Sequence, residues 1–306
     1  MEERKLTIIG GGPAGCSAAI YAVRSNVETL LITEDFGGQL MLTDHISNYL
    51  GFKKESGFSI SEKFEEHVKD YDIEIMMEKA EQVEKKDGQF LIRTTGEDIL
   101  SETIIIAVGT KAKKLDAKGE KEFLNNGVGY CALCDGPLYR DKDVAVIGGG
   151  YSGTEAAIYL SNIANKVYLI NAGDELTGEP ITVDKIPEQD NIEVINKALT
   201  KEFFGEEMLK GLRYEERETG EIKEINVDGA MIEIGREPRS EIINFVDKTD
   251  EGKIKSDNYC RTSVEGFYAA GDVSTIEEEQ AIVAASDGCK AALQAVRYLK
   301  ENNKND

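Results

Sequence analysis

Apolar residues along this chain gather in short runs, and two of those runs have the same surroundings. Ile8-Ile9 leads into Gly10-Gly-Gly-Pro-Ala-Gly15, and Val144-Ala-Val-Ile147 leads into Gly148-Gly-Gly-Tyr-Ser-Gly153. Each glycine turn opens a stretch containing Ala-Ala-Ile-Tyr at helical spacing, ending at Tyr21 in one copy and Tyr159 in the other. Each copy then closes on a second apolar run, Thr29-Leu-Leu-Ile32 or Lys166-Val-Tyr-Leu-Ile170. Fully apolar runs of this length fit strands buried on both faces, so the pattern predicts β-turn-α-β twice, the unit of a parallel sheet. Between the copies, Gln89-Phe-Leu-Ile-Arg-Thr94 alternates as a strand with one wet face, and Val83 stands near the start of another. Thr103-Ile-Ile-Ile-Ala-Val-Gly109 reads as a buried strand ending at glycine. Gly229-Ala-Met-Ile-Glu-Ile-Gly235 repeats that form and marks a return crossing. The lysine-rich stretch from Lys111 to Lys121 is the expected hinge, Gly266-Phe-Tyr-Ala-Ala-Gly-Asp272 is a strand running into Gly-Asp, and an alanine-rich helix closes the chain.

The glycines give these turns a chemical meaning. A strand, a tight glycine turn and a helix start let the backbone approach a pyrophosphate, while the helix N–H groups and dipole hold its charge. One such match is weak; two in the right setting are strong. The fold class expected is therefore α/β, with two Rossmann-like dinucleotide-binding domains.

Size and composition agree with this. The 306 residues suffice for about two domains. An apolar fraction of 41% with 31% charged residues suits a globular chain. No apolar run reaches the roughly 18 residues that cross a bilayer, and the charged first residues leave no room for a signal peptide, so a cytoplasmic location is expected. A net charge of −22 argues against nucleic acid and anionic membranes as partners.

Cys131-Ala-Leu-Cys134-Asp135 lies just before the second glycine turn. In a reducing compartment an isolated C-x-x-C points to redox catalysis or to metal. A zinc site would need a second ligand pair, and Cys16, Cys260 and Cys289 are scattered while His45 and His67 are far apart. Redox chemistry is the better account. A thiol at a helix start is acidified and can attack a disulfide or a flavin, and Asp135 can move the proton that exchange requires. Cys16 and Cys289 read as small core residues, and His45 as a surface or packing residue.

Taken in order, these motifs resemble the low-molecular-weight thioredoxin reductases over essentially the whole chain. The resemblance rests on the first glycine turn, Gly37-Gly-Gln-Leu40, Asn48-Tyr-Leu-Gly-Phe52, the Cys131–Cys134 pair with Asp135, the second glycine turn, and Gly266 to Asp272 followed by Gln280-Ala281. It implies an FAD-binding domain made of residues 1–112 and 240–306, with a smaller nucleotide-type domain, 113–239, inserted and carrying the dithiol. It implies FAD as cofactor, thioredoxin or a thioredoxin-like protein as partner, and a homodimer. By position, Gly10, Gly12, Pro13, Ala14 and Gly15 would cradle the FAD pyrophosphate, with Thr33 and Glu34 beyond the following strand. Gly37, Gly38, Gln39, Asn48, Glu279, Gln280 and Ala281 would surround the rest of the cofactor, together with Val83, Ala107, Gly109 and Asp272. Cys134 would face the flavin, Cys131 would complete the pair, and Asp135 would be the acid–base residue. Gly148, Gly150 and Gly153 would form the second nucleotide site.

The chain departs from the family pattern at that second site. NADPH-using members carry a His-Arg-Arg group and a further arginine after the second strand of the inserted domain. Here Asn171, Ala172, Gly173 and Thr177 hold those places, without a cation, and Asp174 comes too late to grip an NAD ribose. Glu279 replaces an arginine, Leu50 a proline and Val108 a threonine. The leading expectation is a thioredoxin-disulfide reductase charged by ferredoxin or a reduced deazaflavin, branches of the family that also lack the arginine group. An NADH-dependent reductase, an FAD-dependent dithiol oxidase and a non-catalytic FAD-binding protein are the alternatives. For a ferredoxin donor, Lys111, Lys113, Lys114, Lys118 and Lys121 offer a basic patch.

Overall fold

The structure is a computed structural model that describes residues 2–42, 46–276 and 278–302; His45 lies outside them. The chain divides into two compact units, one of residues 1–111 and 237–306 and one of residues 112–236.

The first unit is built on a seven-stranded sheet. Its parallel part runs in the order Glu74–Met77, Thr29–Phe36, Glu2–Gly11, Ile99–Ile106. Beyond Ile99–Ile106 the edge is shared. Residues 99–101 pair with the antiparallel strand Gln89–Thr94, and residues 104–106 pair with the parallel strand Phe267–Ala269. The runs Leu30-Leu31-Ile32 and Ile104-Ile105-Ile106 are wholly buried. Each such side chain contributes about 1.5–3 kcal/mol of burial free energy, which selects a covered parallel sheet over an open one. Two helices, Pro13–Val23 and Ala281–Asn302, pack together on this sheet. Their contact is lined by small residues, Ala14, Ala18 and Ala22 against Ala284, Ala291 and Ala295. Gly288 is required there, because a Cβ would run into the Ala14 carbonyl. The expected strand at Val83 starts three residues earlier, at Ala80, and Val83 is its buried centre.

The second unit repeats the plan in shorter form. Five parallel strands run in the order Ile192–Ile195, Lys166–Ile170, Asp143–Ile147, Gly229–Ile232, Val128–Gly129. A three-stranded antiparallel sheet follows, Ala198–Gly205, Leu209–Glu216 and Ile222–Asn226. Ile147 lies opposite Ile170 as Ile9 lies opposite Ile32, so the two glycine turns leave their sheets at matching register.

The lysine-rich stretch holds the boundary between the two units, at Lys111 and Ala112, and its later residues are fastened within the second unit. Lys118 exchanges backbone hydrogen bonds with Lys201 and Phe203, at 3.1 and 2.8 Å. The buried Glu120 carboxylate accepts from the N–H groups of Leu115 and Ala117 and from the Tyr130 hydroxyl. A carboxylate that ties down its own loop makes a fixed strap inside this unit. The basic patch is correspondingly reduced: Lys118 pairs with Glu202 and, in the first unit, Lys111 pairs with Glu241.

Candidate active site

In the first unit the site starts at the C-terminal edge of the parallel sheet. Strand Glu2–Gly11 ends in the glycine turn, and Pro13 occupies the first turn of the helix, where its missing N–H costs nothing. Gly10 has φ +113°, and a Cβ on it would strike the Ala107 carbonyl. A Cβ on Gly15 would strike the Gly10 carbonyl, so the helix can approach the strand only because both residues lack one. Gly12, by contrast, has nothing within 4 Å of its would-be Cβ, and no side chain caps the helix start. Close backbone packing on one side and open space over an uncapped helix start on the other suit a pyrophosphate, so these residues fit a dinucleotide such as FAD.

Distant parts of the chain converge on this turn. The Gly37 N–H donates to the Gly11 carbonyl at 2.9 Å, placing Gly37 and Gly38 beside the glycine turn. Gln39 Nε2 donates to an Asp272 carboxylate oxygen and to Thr110 Oγ1, each at 2.8 Å. Gly109 passes close to the same Gln39 amide, and Gly271 to Ala14. Asn48 Nδ2 donates to Gln280 Oε1 at 3.2 Å, one residue before Ala281 opens the last helix. Three further expected residues adjoin this group: Glu34 lies between Thr33 and Asp35, which both approach Gly11, Val83 packs with Ile9, and Glu279 precedes Gln280. Glu34 is exposed, Val83 is packed in the core with Ile9, Ile32 and Ile243, and Glu279 pairs with Lys253 at 2.6 Å. That ion pair answers the charge that Glu279 introduces. Thr33 is buried, with its hydroxyl on the Asp35 carbonyl at 2.5 Å.

The second glycine turn reproduces the first. Gly148 has φ +132° against the Glu233 carbonyl, a Cβ on Gly153 would strike the Gly148 carbonyl, and Gly150 faces open space. The Thr177 N–H donates to the Gly149 carbonyl at 2.8 Å, as Gly37 does to Gly11. The difference lies just past the following strand. Asn171, in register with Thr33, is buried and spends its side chain on its own loop. Its Nδ2 donates to the Glu175 carbonyl at 2.9 Å and to Asn196 Oδ1 at 2.8 Å, and its Oδ1 accepts from the Gly173 N–H at 3.1 Å. The fold also adds a cation that the local sequence lacks. Arg217, from the antiparallel sheet's last turn, donates to the Ala172 carbonyl at 2.7 Å. No local signal marks Arg217, because it reaches this loop from 45 residues away.

The dithiol occupies a single helical turn, Ala132–Asp135, in the same unit. Cys131 caps it in extended conformation and is bonded to Cys134 as a disulfide. The Cys131 sulfur also accepts from the Cys134 N–H at 3.1 Å. Cys134 is exposed and Cys131 half-buried. The Asp135 carboxylate lies over Gly129, where a Cβ would collide with it, and burial pushes its pKa upward. A carboxyl lifted this way holds a proton at higher pH than a free one and can pass it to sulfur. Cys16 and Cys260 are buried, and burial pushes each thiol up to about 12, which leaves them inert. Among the described residues no group of three His, Cys, Asp or Glu converges as a metal site, and no helix is long and apolar enough to cross a membrane.

One half-buried carboxylate of this unit, Glu233, escaped the sequence reading. Burial pushes the Glu233 carboxyl up to about 7, against the smaller opposing pull of the Ala132 N–H and of Arg236. Its signal was a lone carboxylate inside the apolar run Gly229 to Ile234, where an unpaired charge is costly.

Residues 4–288 match the family model for pyridine nucleotide-disulphide oxidoreductases. The chain is 40% identical over 303 residues to an NADH dehydrogenase of Bacillus subtilis, covering 98% of this chain and 60% of that one. It is 38% identical over 304 residues to the F component of the alkyl hydroperoxide reductase of Staphylococcus aureus, with the same coverage. The chain thus spans about 60% of the length of the curated relatives it matches. Among solved structures it is similar to the thioredoxin reductase of Lactococcus lactis in its FR conformation. There the TM-score is 0.95 at 32% identity, over 97% of this chain and 99% of that one. It is also similar to a ferredoxin-flavin thioredoxin reductase of Clostridium acetobutylicum, with TM-score 0.55 at 31% identity over 98% and 99% of the two chains.

Proposed function

Because the chain belongs to the pyridine nucleotide-disulphide oxidoreductase family, we propose that it is an FAD-dependent reductase of thioredoxin or a thioredoxin-like disulfide, charged by a donor other than NADPH. Bound in the first cradle, FAD supplies a carrier that accepts an electron pair from a donor and passes it to a disulfide. Residues 1–112 and 240–306 form the FAD part of this reading, and residues 113–239 carry the dithiol. Gly10, Gly12 and Gly15 admit the pyrophosphate, while Gln39 orients Asp272 toward the ribityl portion. The electron pair opens the Cys131–Cys134 bond. One cysteine then attacks the partner's disulfide as thiolate, the second resolves the mixed disulfide, and Asp135 supplies or removes the proton at sulfur.

The observation that carries the choice of donor is the second cradle. The four positions 171, 172, 173 and 177 hold no cation, and Asn171 is committed to its own loop. Arg217 stands near, bound to a backbone carbonyl. Each missing charged contact to a 2′-phosphate forfeits about 1.5–3 kcal/mol, so losing several weakens NADPH by orders of magnitude. The likeness to a ferredoxin-flavin thioredoxin reductase supports ferredoxin as donor, and a reduced deazaflavin would meet the same requirement. A second reading, NADH, is favoured by the intact glycine turn and by the Bacillus relative's name.

Anaerobic stopped-flow spectroscopy of the flavin separates the donors. Reduced ferredoxin or deazaflavin should bleach it, and the dithiol should then reduce thioredoxin. Rapid bleaching by micromolar NADPH would overturn the proposal, and bleaching by NADH alone would select the second reading.

A further inference from the structure

Glu120 is a charged side chain only 3% exposed, and burying a carboxylate is costly unless donors surround it. Three donors do. The Leu115 N–H reaches its Oε1 at 3.2 Å and the Ala117 N–H its Oε2 at 3.1 Å, which fastens the strap. The third donor is the Tyr130 hydroxyl, which comes to Oε1 from ten residues further along the chain. Burial, and after it the bond to Glu120, push the Tyr130 phenol upward, so it keeps its proton and stays a donor near neutral pH.

Tyr130 stands at a narrow place in the chain. The strand Val128–Gly129 has two residues, paired with Ala230 and Met231, and Cys131 already caps the dithiol turn. Tyr130 is thus the single residue between the sheet and the dithiol. The turn is closed on itself: the Asp135 N–H donates to the Cys131 carbonyl at 3.1 Å, and the Cys134 N–H to the Cys131 sulfur at 3.1 Å. Buried Ala132 packs its underside into the core with Tyr139 and Met231. Those contacts hold the turn from Ala132 onward. On the other side, Cys131 is attached to a residue whose ring is anchored at its far end on Glu120.

We propose that Tyr130 is a positioning residue for Cys131 and that Glu120 acts through it, the hydroxyl–carboxylate bond holding this cysteine where its sulfur meets that of Cys134. The inference rests on the dithiol being the working redox pair. The same carboxylate holds Leu115, Ala117 and Tyr130, so the strap and the entrance to the dithiol turn are one fixed assembly. The consequence falls on the redox equilibrium. Two thiols held together close to a disulfide more readily than two that wander, because less freedom is lost when the bond forms. Releasing Tyr130 from Glu120 lets Cys131 wander in the reduced protein and favours the dithiol.

Exchange with glutathione reads this without a physiological donor. Two glutathione thiols give up two electrons and two protons and become glutathione disulfide. The Cys131–Cys134 bond breaks, and each sulfur takes one electron and one proton. The full-length holoenzyme, Tyr130→Phe, Glu120→Gln and the double variant are equilibrated anaerobically at defined ratios of glutathione to its disulfide. Free thiols are trapped with iodoacetamide, and the peptide carrying Cys131 and Cys134 is quantified by mass spectrometry. Flavin absorbance and a thermal melt confirm that each variant is folded. A loss of stability shared by both redox states leaves this equilibrium where it was, so a merely structural role would not move it.

A hydrogen bond to a charged acceptor is strong enough to carry a tenfold effect. Tyr130→Phe should therefore shift the equilibrium about tenfold toward the dithiol, or about 30 mV for a two-electron couple. Glu120→Gln should shift it in the same direction. The double variant should go no further than Tyr130→Phe, because both substitutions act on one bond. Tyr130→Phe, which removes one oxygen and keeps the ring, decides the matter even without the other variants. A folded Tyr130→Phe within twofold of the parent overturns this inference alone, and so do additive shifts in the double variant. A disulfide that neither glutathione nor dithiothreitol can open overturns the functional reading and the inference together.

Discussion

Replacing Gly15 and Gly153 by alanine, one at a time, separates the two cradles. An ideal Cβ on Gly15 lies 1.7 Å from the Gly10 carbonyl oxygen, and one on Gly153 lies 1.9 Å from that of Gly148. Carbon and oxygen tolerate about 3.3 Å at closest, so each methyl forces its helix to retreat by roughly 1.5 Å. Overpacking of this kind costs about 1–3 kcal/mol of stability. The larger effect falls on the ligand. Hydrogen bonds from backbone N–H groups to a charged pyrophosphate are worth about 1.5–3 kcal/mol each. Losing two of them weakens binding by roughly two to four orders of magnitude. Flavin absorbance per chain, before and after adding FAD, reads the first cradle directly, and a thermal melt verifies folding. Gly15→Ala should be folded, colourless as purified and poorly restored by FAD. Gly153→Ala should remain yellow, with a disulfide that dithiothreitol still opens. Its turnover with ferredoxin or deazaflavin should match the parent, since neither donor uses that turn. A fully yellow Gly15→Ala, or a Gly153→Ala that loses its flavin, would refute this assignment of the cradles. Loss of turnover with the working donor in Gly153→Ala would show that a nucleotide supplies the electrons.

Cys131→Ser and Cys134→Ser should each abolish disulfide reduction and leave FAD bound, checked by thioredoxin reduction and flavin absorbance on the same samples. Asp135→Asn should slow turnover by about 10²–10⁴-fold without blocking the first electron transfer, which pre-steady-state flavin traces resolve from the later steps. Glu233 should also leave a mark on stability. Its native carboxyl titrates near 7 against an ordinary value of 4.5, so the native state binds the extra proton between those values. Stability relative to Glu233→Gln should therefore fall as pH rises from 4.5 to 7, by up to about 3 kcal/mol, and stay level on either side of that window. Paired thermal melts across pH test the sign. A parent that gains on the variant as pH rises would contradict it.

Local sequence determined the chemistry of the turns. Gly10, Gly15, Gly148 and Gly153 are legible because only a missing Cβ allows strand and helix to close so tightly, and that constraint acts over six residues of chain. The buried strands are legible for a similar reason, since Leu30 to Ile32 and Val144 to Ile147 have no polar face to offer water. The Cys131–Cys134 spacing closes its disulfide within one helical turn, so no distant residue is needed to recognise it. Tertiary structure decided what surrounds these motifs. Gln39 and Asp272 meet across 233 residues, and Arg217 finds Ala172 across 45. Lysines that look like a free basic run are partly neutralised, because the carboxylates of Glu202 and Glu241 come from elsewhere in the chain. The strand Gly229–Ile232, which runs into Glu233, lies beside Val128 and Gly129, just ahead of the dithiol turn, only in the folded sheet. Periodicity and spacing encode what a segment does with its own backbone. Electrostatics between segments depends on distances that exist only after the sheet has formed.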